Sequence, residues 1–450
     1  MLIVTFIDEF RQHKQAAIID MQKEYSYGWL IDQIETYLLW LEKTGIQAGT
    51  VVQLNADFSA QAIAMLFALA KQGCIIMPLT NLVIEKQQEY QAIVQVEYVI
   101  NFEADQVIYR KLSFIPNHEL ILFLRAQQHP GLVIMSSGST GKSKAIVHDL
   151  RLLLEKFTVR KTAFKTLSCL LFDHIGGLNT LFSNFYQGGT LVIPTKREPL
   201  VICQSIAVHQ VDVLITSPSF LNLMLLSGTY QQHNLSSLKI VNYGSEVMPI
   251  SLLARLNNIF PHIKFSQAYG LSEIGVLNVK SKSSDSLLVK ISDNHAKVRI
   301  SDGMLEIKSP QSMLGYLNAM SPYTEDGWFK TGDMVIQEGE FIQILGRVTD
   351  IINVGGEKVY PAEIESVLLM MPEIEDVIVM GEANAILGNL VKTKVKLKNN
   401  VNKLGFKNQI KIFCKDKLPA FKIPQKIEFI EEYFHGERFK KMRNSKTNYS

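Results

Sequence analysis

A chain of 450 residues with 47% hydrophobic and 20% charged side chains exceeds the roughly 250–300 residues at which one hydrophobic core stops growing, so more than one domain is expected. Its formal charge of +3, from 46 basic and 43 acidic side chains, gives no reason to expect a nucleic-acid partner, and no run approaches the ~20 apolar residues of a membrane span. Cys74, Cys169, Cys203 and Cys414 follow neither metal-ligand spacing nor a disulfide framework, which favours a reducing compartment, the cytoplasm.

Met1 to Ile7 is apolar but has no basic leader and no small-residue cleavage site, and it reads as the start of the fold. Strand-length apolar runs then alternate with helical stretches, the pattern of helices covering a largely parallel sheet. Val51 to Leu54, Gln61 to Ala70 and Cys74 to Pro78 form one βαβ unit. Leu132 to Met135, Thr190 to Ile193, Val213 to Thr216 and Lys239 to Asn242 are further buried-strand candidates. After Val279 the texture changes to short alternating segments, Lys297 to Ile300, Met304 to Lys308 and Phe341 to Leu345, which read as antiparallel strands. Beyond Asp350 a helix over Pro361 to Met370, further strands and a second helix make a compact unit of about 100 residues. The expectation is an α/β fold: a large domain over residues 1–349 and a small α+β domain over residues 350–450. Lys and Arg recur densely from Lys392 to Lys446, a pattern open to three readings, a solvated surface, an RNA face or a module that meets phosphates, of which the first is favoured.

The most informative stretch is Ser136-Ser137-Gly138-Ser139-Thr140-Gly141-Lys142-Ser143-Lys144, directly after an apolar strand. Small residues let backbone N–H groups converge on an anion, hydroxyls add donors and lysines neutralise charge. A Walker A loop requires glycine where Ser136 stands, so a P-loop NTPase is disfavoured. The competing reading is a flexible Ser/Gly surface loop; the preceding buried strand weighs against it.

Five more segments follow in order. Phe172 to Asn179 carries His174 ahead of Gly176-Gly177, where a structural histidine is as good a reading as a functional one. Tyr243-Gly244-Ser245-Glu246 follows a strand candidate. Tyr269-Gly270-Leu271-Ser272-Glu273 offers an aromatic face for adenine, a hydroxyl for phosphate and a carboxylate for Mg²⁺. Asp326 to Asp333 carries Trp328, Gly332 and a terminal Asp333. Gly346 to Glu365 carries Arg347, Asp350, the Gly355-Gly356 pair and Lys358.

Together these segments resemble the adenylate-forming superfamily of acyl-CoA synthetases, acyl- and aryl-acid ligases, nonribosomal peptide adenylation domains and luciferase. The resemblance runs from Ala17 to Arg443. It implies ATP on Ser136 to Gly141 and Lys144, with adenine beside Gly244, Ser245, Glu246, Tyr269 and Gly270. Ser272 reaches phosphate, Glu273 holds Mg²⁺, and Asp333 and Arg347 hold the ribose. His174 borders the acyl pocket, Asp350 is the hinge, and Lys358 faces the nucleotide or the thiol after rotation. A terminal Gly-Lys-x-x-Arg segment is degraded here: Phe439 stands at the glycine, Lys440 at the catalytic lysine and Arg443 at the arginine, with Lys441 one step away. A cation there is needed for one anion to attack another.

The implied activity is AMP-forming activation of a carboxylic acid, aryl or fatty, followed by transfer to the thiol of CoA or of a carrier protein's phosphopantetheine. The alternatives are an amino-acid adenylation enzyme and a catalytically impaired nucleotide-binding homologue. The first is disfavoured because Ile175, not Asp173, stands where such enzymes hold the substrate ammonium; retention of Glu273, Asp333 and Arg347 argues against the second.

Overall fold

The computed structural model describes residues 3–80, 84–103, 106–137, 142–293, 295–399 and 401–431. The expected α/β architecture is present. Two seven-stranded sheets form the body of a large N-terminal domain. In the first, Lys264–Gln267, Ile240–Tyr243, Val213–Thr216, Lys165–Ser168, Thr190–Ile193 and Ala16–Asp20 run parallel, and Lys23–Ser26 closes the edge antiparallel. In the second, Gly131–Ser137, Ile75–Leu79, Val51–Asn55 and Tyr98–Glu103 run parallel in the middle, with antiparallel strands at both edges.

The βαβ unit forms as read. Ser59 caps the helix Ala60–Gln72 by accepting from the Ala62 amide, and Gly73 ends it at φ +83°. Ten of the helix's residues, Ala60 and then Ala62 to Ala70, are buried, because the helix lies between layers rather than on the surface. Such burial on all sides is what its unbroken apolar sequence requires.

A six-stranded antiparallel sheet follows, built from Val279–Ser281, Leu288–Ile291, Phe341–Arg347, Phe329–Glu338, Met304–Lys308 and Lys297–Ser301. The smaller C-terminal domain has its own five-stranded sheet, in which Gly388–Leu397 pairs with Ile352–Val354, Ile374–Asn384 and Lys426–Ile430. Its core, from Ile352 to Ile427, is separate from those of the large domain. All four cysteines are free and buried. Among the described residues no helix is long and apolar enough to cross a membrane.

Candidate active site

Strands Ile240–Tyr243 and Lys264–Gln267 are parallel neighbours with Tyr243 opposite Gln267, so their continuations leave the sheet side by side at its carboxyl edge, where open α/β sheets bind ligands. One continuation carries Gly244, Ser245 and Glu246, the other Tyr269 and Gly270. The Ala268 amide donates to Tyr243 O at 2.7 Å, which ties the two segments together, and the Gly244 amide donates to Thr216 O, at the end of the neighbouring strand, at 3.1 Å. Ser245 takes a left-handed φ of +64°, uncommon for a residue with a side chain and concentrated at functional sites. Its hydroxyl donates to Gly244 O at 2.6 Å. Glu246 Oε2 accepts from Ser219 Oγ at 2.6 Å. Gly270 is required by its hairpin, since a Cβ there would stand 2.5 Å from Gly275 O.

Tyr269 reaches out of this layer. Its hydroxyl donates to Asp333 Oδ2 at 2.7 Å, and Arg347 Nε lies 2.8 Å from Asp333 Oδ1. Asp333 and Arg347 face each other across two antiparallel strands, which explains how residues from two separate motifs meet. Asp333 is only 5% exposed. Burial pushes its carboxyl above the ordinary carboxylate range, partly offset by Arg347 and by the Tyr269 hydroxyl. Burial, with Asp333 beside it, drives the Tyr269 phenol well up, so that it stays a donor. A cavity of ≈ 240 Å³ opens here, lined by Ser245, Glu246, Tyr269, Gly270, Asp333 and Arg347 among others. Six residues assigned to the nucleotide are thus brought to one pocket.

The two flanks of the phosphate segment lie on paired antiparallel strands, Ser136 opposite Lys144 and Ser137 opposite Ser143. Gly138, Ser139, Thr140 and Gly141 lie outside the described residues. Lys144 Nζ stands 4.8 Å from the centre of the Tyr316 ring, and the Tyr316 hydroxyl donates to Glu273 Oε1 at 2.8 Å. Tyr316 therefore links the expected phosphate cation to the expected metal carboxylate. Ser272 and Glu273 occupy the turn between strands Tyr269–Leu271 and Gly275–Leu277.

His174 caps the helix Ile175–Tyr186: its Nδ1 accepts from the Gly176 amide at 3.1 Å, so the ring's other nitrogen carries hydrogen. It thus has a structural role whatever else it does. Asp173 is 3% exposed, and its Oδ2 accepts from Thr80 Oγ1 at 2.9 Å and from the Thr80 amide at 3.3 Å. Both contacts tie Asp173 to the residue that follows strand Ile75–Leu79.

Lys358 lies on the exposed hairpin strand Glu357–Val359 and is not among the cavity's lining residues; the small domain instead brings Tyr360, Glu365 and Asp376 to the cavity. The two domains meet at a buried polar seam, where Ser251 Oγ donates to Ser366 O at 2.8 Å. Lys440, Lys441 and Arg443 lie outside the described residues. Sequence reasoning missed Tyr316, which no motif marks and which only the sheet edge brings to Glu273.

Residues 124–317 match the model of the AMP-binding enzyme family, and residues 363–446 that of its C-terminal domain. The chain belongs to the adenylate-forming, AMP-binding superfamily. By class it is an AMP-forming acid–thiol ligase. It is 24% identical to an indoleacetate–CoA ligase of Aromatoleum aromaticum, over 93% of this chain and 92% of the relative. It is 28% identical to an uncharacterized acyl–CoA ligase, YhfT, of Bacillus subtilis, over 68% of this chain and 65% of the relative. An anthranilate CoA ligase crystallised with anthranoyl-AMP superposes with a TM-score of 0.81 at 18% identity, covering 98% of this chain and 95% of that one. The fold of this AMP-binding enzyme is therefore that of the superfamily.

Proposed function

We propose that this enzyme joins ATP to an aryl or fatty acid, releasing pyrophosphate, and passes the acyl group from the resulting adenylate to the thiol of CoA. The Tyr269–Asp333–Arg347 cluster carries this reading: a buried carboxylate, held from two sides and opening on a cavity, is suited to a ribose diol. The names of the indoleacetate and anthranilate ligases support an aromatic acid over a fatty acid, and CoA over a carrier-protein acceptor. Asp173, occupied by Thr80, weighs against an α-amino acid.

In this reading Ser136 to Lys144 cradle the phosphates and Lys144 turns from the Tyr316 ring to them. The cation implied by the family resemblance is Mg²⁺, usually bound by one or two carboxylates plus substrate phosphates. Glu273 is the carboxylate that would hold it. When bound, Mg²⁺ neutralises the leaving pyrophosphate. Lys440, or Lys441 beside it, places a cation between the attacking carboxylate and the α-phosphorus. Asp350 closes the short segment Val348–Asp350 between the last strand of the antiparallel sheet and the first of the small domain. That placement supports a hinge there, about which the small domain, residues 350–450, exchanges the Lys440 face for the Lys358 hairpin when the thiol arrives.

The test is carboxylate-dependent ATP–pyrophosphate exchange across aryl, fatty and amino acids, with Lys440→Ala and Lys441→Ala beside wild type. Exchange with aryl acids, abolished by one of the two changes, is the expected result. ATP binding without exchange for any acid would overturn the reading in favour of a non-catalytic homologue.

A further inference from the structure

Two side chains outside every sequence motif meet the Ser272–Glu273 turn from behind. His148 lies on strand Ser143–Asp149, four residues after Lys144. Positions two or four apart on a strand share a face, so the phosphate-segment lysine and this histidine point to the same side of the sheet. His148 is fully buried, and its Nε2 lies 2.7 Å from the main-chain oxygen of Ser272. A carbonyl oxygen only accepts, so Nε2 donates. Its Nδ1 has no hydrogen-bond partner among the described residues, an unusual arrangement for a buried polar atom.

Lys156 follows the helix Leu150–Leu154. Its ammonium donates to Val276 O at 2.9 Å and to Asn179 Oδ1. Val276 pairs with Gly270 across the hairpin whose turn carries Ser272 and Glu273. The two donors therefore hold that turn at its first residue and just beyond its last. Burial lowers both groups, the imidazole to about 4 and the ammonium to about 8, so at neutral pH the imidazole is neutral while Lys156 stays charged. Neither lines the cavity at Asp333. A histidine held against one carbonyl, with its other nitrogen unpartnered, gives the core nothing that an apolar side chain would not supply better, except that hydrogen bond.

We propose that His148, backed by Lys156, is a positioning residue for the adenylation step. It ties the main chain of the turn bearing Ser272 and Glu273 to the strand bearing Lys144, so that the metal carboxylate and the phosphate cation meet the departing pyrophosphate as one unit. The inference rests on the functional reading above.

His148→Gln keeps an N–H donor near the Nε2 position, and His148→Leu removes it. In the full-length chain, with an acid that supports exchange in wild type, two rates are compared: ATP–pyrophosphate exchange, and thioester formation from preformed acyl-adenylate and CoA, which releases no pyrophosphate. His148→Leu is expected to lower kcat for exchange at least about tenfold with KM for the acid little changed, the sign of an interaction that acts in the transition state. It also raises the Mg²⁺ concentration needed for half-maximal exchange, while thioester formation falls by less than about twofold. His148→Gln restores most of the lost exchange. Equal losses in both half-reactions, or a glutamine variant no better than leucine, would mark His148 as merely structural and overturn the proposal. Should His148→Leu not fold, Lys156→Met carries the same split between half-reactions as its expected result, and an even loss overturns it. Absence of exchange in wild type with every acid would remove the functional reading itself, a result distinct from any of these.

Discussion

The two ends of this enzyme are built differently. At the nucleotide end, Asp333 is buried and gripped by Tyr269 and Arg347, all three on strands of the large domain. At the small-domain end, Lys358 stands on an exposed hairpin strand outside the cavity, and that domain keeps its own core beyond Ile352. Groups required in every step can be fixed in rigid sheets; groups required in one step belong on a body that can be exchanged. On the proposed function, preassembly marks binding and the transfer chemistry depends on movement.

The sharpest way to break this contrast is Asp333→Ala, which removes the carboxylate proposed to accept charge-assisted hydrogen bonds from the two ribose hydroxyls. At about 1.5–3 kcal/mol for each such contact, kcat/KM for ATP in exchange should fall by roughly 100-fold or more. An unchanged value would dismantle the preassembled end. Next comes Asp350→Pro, which fixes a backbone torsion at the proposed hinge. Overall thioester formation is expected to drop at least about tenfold further than exchange does; equal drops measured side by side would deny the exchange of faces. Tyr269→Phe removes one hydrogen bond to the carboxylate, and a KM for ATP raised about tenfold is expected from steady-state exchange kinetics.

The smallest effect concerns stability. Burial lowers the folded Lys156 ammonium from 10.5 to about 8. Between those values the unfolded chain binds more protons, so folding stability gains with rising pH through that window and the gain is lost as pH falls through about 8. Thermal melts across this range should show the wild-type melting temperature rising relative to that of Lys156→Met as pH rises; a gap that does not change with pH would show that Lys156 keeps an ordinary ammonium.

Much of this was legible in the chain. Thr190–Ile193, Val213–Thr216 and Met304–Lys308 have the bounds read from sequence, because short runs of apolar and β-branched residues between turn formers leave little else for the backbone to do. The hairpin Tyr98–Glu103 with Gln106–Lys111 was not foreseen: its outer strand is half-exposed and carries Gln106, Arg110 and Lys111, so apolar periodicity barely marks it. At the site, motif residues were readable by chemistry and their meeting was not. Tyr269 and Asp333 are 64 positions apart and meet only through sheet packing. Tyr316 and His148 carry no local signal, since a tyrosine or histidine in a strand gains its role only from what the register sets opposite it.

The most direct measurement is the product balance with one aryl acid, ATP and Mg²⁺, with and without CoA, followed by mass spectrometry. The account predicts an acyl-adenylate and pyrophosphate without CoA, and acyl-CoA with one AMP for each thioester formed when CoA is present. ADP and phosphate in place of AMP and pyrophosphate would contradict it.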